Sequence, residues 1–214
     1  MAEQPDIAII GPGKVGQTLG VLAARAGWRV AAVAGRARRR ALAAAEAIGP
    51  DVRACTPLQA ARAAGLVLLT VPDAAIRPLC EQLAARKAFR RGTVVAHCSG
   101  ALSSDELAAA RDRCGCSAGS MHPLQTFPTV EAAEARLPGA TCFLEGDAPA
   151  VEALSALAGA VGCQAVRMQT GEKALYHAAA VLACNYVTAL LDAASAAAEA
   201  AGVGRGAYLA AAEP

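Results

Sequence analysis

The feature that most constrains this chain is an alternation. Apolar runs at 7–10, 30–34, 66–71 and 94–96 are each followed by a stretch of helical spacing, at 15–26, 57–64, 74–86 and 103–113. Strands joined through helices must run parallel, so the pattern predicts an α/β fold, a mostly parallel sheet with helices on both faces. Two later runs, 141–144 and 164–168, flank a helical stretch at 148–161 and extend the same sheet. The "SSDE" that opens the 103–113 segment is a capping sequence with acids in the first turn. Hydrophobic residues make up 55% of the chain but aromatics only 3%, so the interior must be built from Ala, Val and Leu, which favours close helix packing.

The chain of 214 residues allows one large domain and an appendage. The sheet is expected to end near Thr170, giving a first domain over 1–170 and the start of a helical domain over 171–214. From Lys173 to Ala201 there is neither Gly nor Pro. As one helix that run would be about 43 Å long at about 1.5 Å per residue. The uncharged run 174–191 reaches the lower length limit of a membrane span, but it is rich in Ala and carries His177, Asn185 and Thr188, which predicts a buried helix and no membrane. The Ala-rich segment after "GVGRG" stops before it could bury a face, so the helical domain is expected to be incomplete or covered by a partner. The acidic start "MAEQPD" is unlike a secretory leader, and eight scattered cysteines without CxxC spacing read as reduced thiols, which together predict a cytoplasmic protein. A net charge of +2 with no basic face argues against nucleic acid.

The first strand runs into "GPGKVG". Gly11 permits the tight turn, Gly13 allows backbone to approach a pyrophosphate, and Gly16 allows the helix to pack on the strand; Lys14 and Val15 form the first helical turn. A dinucleotide-binding site follows. A site selective for NAD carries an Asp or Glu after the second strand, whereas here Arg36 is followed by Arg38, Arg39 and Arg40, which suit a 2′-phosphate and predict NADP. In "TVPD", Val71 and Pro72 fall at a strand's carboxyl edge beside the cofactor, and Asp73 is expected to cap the next helix.

All three histidines fall near the expected sheet edge: His97 in "HCSGAL", His122 in "GSMHPLQTFP", where the motif interrupts a strand, and His177 in the long helix. No HxH or HxxxH spacing or acidic cluster supports a metal. Lys173 and His177 share a helix face, with Asn185 further along. Hydride transfer to a carbonyl or imine needs a proton donor and a polarising group, so Lys173, His177 and Asn185 are the candidate catalytic residues. Ser99, Gly100, His122 and Gln125 are the candidate substrate contacts.

"GPGKVG", "TVPDAAI", "HCSGAL", "GSMHPLQTFP" and "YHAAAVLACNYVTALL" carry a resemblance that covers nearly the whole chain. It resembles Rossmann-like proteins with a DUF2520 domain, a family similar to the 6-phosphogluconate and β-hydroxyacid dehydrogenase superfamily and to F420-dependent NADP oxidoreductases. The resemblance implies a C-terminal helical domain that forms a homodimer. Lys173 matches the Lys of β-hydroxyacid dehydrogenases, whose Asn four residues on is His177 here. "MHPL" is similar to a segment that borders substrate in prephenate dehydrogenases, which implies a substrate-facing His122. The expectation is an NADP-dependent oxidoreductase acting on a small oxo or imino acid; the other readings are a non-catalytic NADP-binding or regulatory protein and F420-linked reduction.

Overall fold

The computed structural model describes residues 4–204. Two compact units divide the chain, 1–173 and 174–214. The Ala-rich tail expected after "GVGRG" lies outside the described residues.

The first unit is a single eight-stranded sheet in the order β3-β2-β1-β4-β5-β6-β7-β8. Its strands are β1 (Ile7–Ile10), β2 (Val30–Ala34), β3 (Arg53–Cys55), β4 (Leu66–Leu69), β5 (Val94–His97), β6 (Ser117–Pro123), β7 (Thr141–Gly146) and β8 (Gln164–Arg167). Every neighbouring pair is parallel except β6 and β7, which are antiparallel. The fold is therefore the predicted Rossmann-type α/β sheet. The intervening helices are α1 (Lys14–Arg25), α2 (Arg38–Ile48), α3 (Pro57–Ala63), α4 (Asp73–Ala85), α5 (Ala108–Cys114), α6 (Val130–Arg136) and α7 (Ala148–Ala160).

Strand alternation sorts the core into two layers. Ile7 and Ile9 of β1 join Leu19 of α1, Ile48 of α2 and Leu154 of α7, while Ala8 and Ile10 join Ala60 of α3, Ile76 of α4 and Ala110 of α5. The many alanines let helix and sheet approach closely. Gly20 of α1 shows the limit: a Cβ there would stand 2.7 Å from the Ile9 side chain and 2.5 Å from that of Ile48.

Three expectations need correction. "GSMHPLQTFP" does not interrupt a strand: Ser117–Pro123 is continuous, and Pro123 ends it. Asp73 does not cap α4 with its side chain; Pro72 is the N-cap residue and the Asp73 carboxylate instead accepts from Ser99 Oγ at 2.8 Å. The run after Lys173 is neither one regular α-helix nor buried. It comprises α8 (Lys173–Val181), a π-helical turn at Leu182–Tyr186 and α9 (Val187–Ala200). Thr188 Oγ1 donates to the Cys184 carbonyl at 2.8 Å across that turn, a side-chain bond that competes with the helical ladder.

In the second unit, Leu175 is 78% exposed and Leu190 is 69% exposed. The helical stretch Thr170–Ala200 has the length and mean hydropathy, 1.5, of a membrane span, and none of its most apolar 18-residue window is buried.

Candidate functional site

Two constellations in the first unit hold some of the expected site residues. One is a cleft at the carboxyl ends of β1, β2 and β4. Strand order reverses direction between β1 and β4, and the crevice at such a switch point is where open α/β sheets bind ligands. The Gly11 N–H donates to Ala34 O at 2.8 Å, and Thr70 Oγ1 donates to Gly11 O at 2.7 Å, so the glycine turn is bound to the strands on both sides.

The glycines of this turn differ in why they must be glycine. Gly11 sits at φ +125°, and a Cβ there would lie 2.4 Å from Thr70 O. At Gly16 a Cβ would meet Gly11 O at 2.4 Å. Gly13 is extended, φ −87° and ψ −177°, and a Cβ there would meet nothing within 4 Å. The protein's own packing gives no reason for glycine at 13, which borders the cleft.

That cleft, about 870 Å³, is lined by Gly11, Gly13, Arg36, Arg39, Arg40, Thr70, Val71 and Pro72, among others. Five expected cofactor residues, Gly11, Gly13, Arg36, Val71 and Pro72, are on its wall. Lys14, Val15 and Gly16 are not on that wall; they form the first turn of α1, with Gly16 buried behind Gly11. That turn has no side-chain cap and no acidic residue, so its free N–H groups suit an anion. An adjoining cleft of about 800 Å³ shares Gly35 and Arg36 and adds Arg38 and Arg53. Neither lining contains an Asp or Glu, and Arg36, Arg38, Arg39 and Arg40 are all exposed. An acid-free rim of guanidiniums beside an uncapped helix start fits the phosphates of a dinucleotide and an added 2′-phosphate. Arg53 was not foreseen because β3 is only three residues long.

The second constellation is a polar row across three strands. Registers pair His97 of β5 with Ser120 of β6, and Ser120 with Glu145 of β7, so all three share one face. All are buried, at 0%, 0% and 1% exposure, and Lys173 is buried against them at 1%. Lys173 Nζ donates to Ser120 Oγ and forms an ion pair with Glu145 Oε1 at 3.7 Å. Glu145 also accepts from Ser104 N–H at 2.8 Å, Ser104 Oγ at 2.8 Å and Thr170 Oγ1 at 3.0 Å. Burial is the first cause that lowers the Lys173 pKa, to about 8, against the opposing pull of Glu145.

His97 has a structural part in this row. Its Nδ1 accepts from Ser99 N–H at 3.2 Å, which leaves Nε2 to donate to Ser103 O at 3.0 Å. Burial, reinforced by Lys173, lowers its pKa to about 4, so the ring is neutral. The unfolded chain takes up a proton near 6.5 that the folded state takes up only near 4. Stability is therefore expected to fall as pH drops from 6.5 to 4, with a shallower fall in His97→Gln, both read by urea unfolding.

The Ser99 hydroxyl is committed to the turn, donating to Asp73 and accepting from the N–H groups of Ala101 and Leu102; the adjacent Gly100 is buried. The Ser99 hydroxyl is thus engaged by one donated and two accepted hydrogen bonds within the protein. His122 is half-buried on β6, two residues beyond Ser120 and on the same face. The Gln125 side chain donates to the Arg136 carbonyl at the end of α6 and accepts from the neighbouring Thr126 N–H. His177 and Asn185 belong to the second unit, on α8 and in the π-helical turn, where Asn185 is exposed. The sequence reading missed Ser120 and Glu145; a lone carboxylate in the apolar strand "TCFLEG" was the available signal.

The description "Rossmann-like domain" matches residues 2–123, more than half of the chain. The chain belongs to the Rossmann-like family. A domain of unknown function, DUF2520, matches residues 140–212. This Rossmann-like chain therefore carries both parts of the expected resemblance. No curated protein matches its sequence. Among solved structures it is similar to an NADP oxidoreductase, provisionally so named, from Bacteroides fragilis, with 20% identity over 96% of this chain and 76% of that one and a TM-score of 0.76. A protein from Thermotoga maritima is 24% identical over 95% of this chain and 73% of that one, with a TM-score of 0.72. A reductive aminase from Aspergillus terreus, in complex with NADPH and ethyl-5-oxohexanoate, is 20% identical over 97% of this chain and 71% of that one, with a TM-score of 0.72. At these identities the likeness establishes the fold.

Proposed function

We propose that this Rossmann-like chain is an NADP-dependent oxidoreductase that acts on a small oxo or imino acid. The observation that carries the reading is the acid-free cleft at the switch point, where Gly13 is glycine for no packing reason and Arg36, Arg39 and Arg40 form the rim. Its similarity to structures named as an NADP oxidoreductase and an NADPH-bound reductive aminase supports it. NADPH would supply the hydride when bound. Gly11 and Gly13 would admit the pyrophosphate to the first turn of α1, and Arg36 would hold the 2′-phosphate. Lys173, in its ammonium form, is the proposed source of the proton for the acceptor's oxygen or nitrogen. A homodimer through the C-terminal helices belongs to the same proposal and is supported by the exposure of Leu175, Leu182 and Leu190.

Calorimetric titration tests the cofactor. NADPH is expected to bind in preference to NADH, and Arg36→Ala is expected to weaken NADPH by about 10- to 100-fold, the worth of a charge-assisted hydrogen bond, with NADH little changed. Equal binding of both cofactors, or of neither, overturns the assignment. The enclosure of Lys173, Ser120 and Glu145 among themselves favours a second reading, a non-catalytic NADP-binding protein. A panel of oxo and imino acids separates the two: only the enzyme oxidises bound NADPH.

A further inference from the structure

The Glu145 carboxylate faces four donors, about as many as its two oxygens can accept, and they come from three parts of the chain. Ser104 supplies two from the turn after β5, Thr170 one from the segment after β8, and Lys173 a cation from the first residue of α8. Both carboxylate oxygens are thereby fixed with the Lys173 ammonium between Oε1 and the Ser120 hydroxyl. We propose that Glu145 is the positioning residue of Lys173: it fixes the ammonium against Ser120 and, through its charge, holds the proton on Nζ at neutral pH.

The groups facing Lys173 leave this task to Glu145. On β5, His97 is neutral; beside it the Cys98 thiol, pushed up to about 12 by burial, is neutral as well. On β6 the contact is the uncharged Ser120 hydroxyl. Asp73 at the start of α4 also favours the ammonium but ranks below Glu145. Along its own segment Lys173 is preceded by the exposed Glu172 and followed one turn later by His177. Glu145 is the carboxylate that the structure brings into ion-pair distance. Removing its charge leaves burial to act on Nζ with little opposition, so the proton must come off at lower pH.

The experiment is an NMR titration of the Lys173 Cε and Nζ resonances, assigned by their loss in Lys173→Met, in the full chain. Glu145→Gln is expected to lower the Lys173 midpoint by at least about one pH unit, the usual effect of losing an opposite charge at this distance. Thr170→Val, which removes one donor from Oε2 and concentrates charge toward Lys173, is expected to move the midpoint upward. That variant keeps the test decisive if Glu145→Gln does not fold. A midpoint unmoved in Glu145→Gln, or moved downward in Thr170→Val, overturns the proposal. The kinetic part rests on the reading of Lys173 as proton donor. If that reading holds, the alkaline limb of NADPH-dependent reduction shifts with the NMR midpoint, while NADPH affinity is unchanged. A shifted midpoint without a shifted limb sinks the donor reading and leaves the Glu145 assignment standing.

Discussion

Glu145→Ala is expected to destabilise the Rossmann-like unit by about 3–5 kcal/mol, the cost of leaving one member of a buried ion pair behind. The loss should exceed that of Lys173→Met, because the two partners are supported unequally. Without Lys173, the Glu145 carboxylate still accepts from Ser104 N–H, Ser104 Oγ and Thr170 Oγ1. Without Glu145, those donors lose their acceptor, and the Lys173 ammonium retains the Ser120 hydroxyl in a site 1% exposed. Each orphaned buried donor adds roughly 1–3 kcal/mol. Urea unfolding at pH 7 with unchanged m-values is the measurement; a Glu145→Ala loss smaller than that of Lys173→Met contradicts this account of the cluster. The pH dependence adds a sign. The Lys173 midpoint falls from 10.5 in the unfolded chain to about 8 in the folded one, so over that window the unfolded state holds the extra proton and stability rises with pH. Lys173→Met should abolish that rise.

What the sequence disclosed and what it withheld follow from distance along the chain. The glycine turn was legible because its spacing is local: Gly11, Gly13 and Gly16 fall within one strand-turn-helix whose apolar runs give the strand and helix their periods, although the clash that a Cβ at Gly11 would make is with Thr70 at the end of β4. The arginine rim was legible for the same reason, since Arg36 to Arg40 directly follow β2. Elements without a strong period were missed. β3 is three residues with partly exposed sides, and α2 begins with three arginines that read as a ligand rim before they read as a helix. The buried cluster was illegible for a different reason. Lys173 meets Ser120 across 53 positions and Glu145 meets Ser104 across 41, so no local pattern marks them. Lys173 was noticed by its place at the start of a long helix, yet its burial depends on a face assembled from β5, β6 and β7.

Gly11 and Gly13 should separate fold from function within one turn. Gly11→Ala is expected to cost roughly 3–5 kcal/mol, combining a positive-φ penalty with overpacking. Its Cβ would press on the Thr70 carbonyl at 2.4 Å, where β1 and β4 are held together, and no side-chain rotation can relieve a clash with backbone. Gly13→Ala is expected to cost about 1 kcal/mol or less, the difference between Gly and Ala at an N-cap, because its extended backbone suits any residue and its Cβ meets nothing. The added methyl would instead occupy the space through which a pyrophosphate reaches the first turn of α1. NADPH affinity is therefore expected to drop at least about tenfold, equivalent to about 1.4 kcal/mol, in a protein that melts close to the wild-type temperature. Thermal unfolding and calorimetry on the same preparations give both numbers. A Gly13→Ala protein that binds NADPH as tightly as wild type would remove the cleft from the cofactor path, whereas one that loses binding while Gly11→Ala loses stability would show that two glycines of one turn, separated by Pro12 alone, are held for opposite reasons, one by the strand beside it and the other by a ligand.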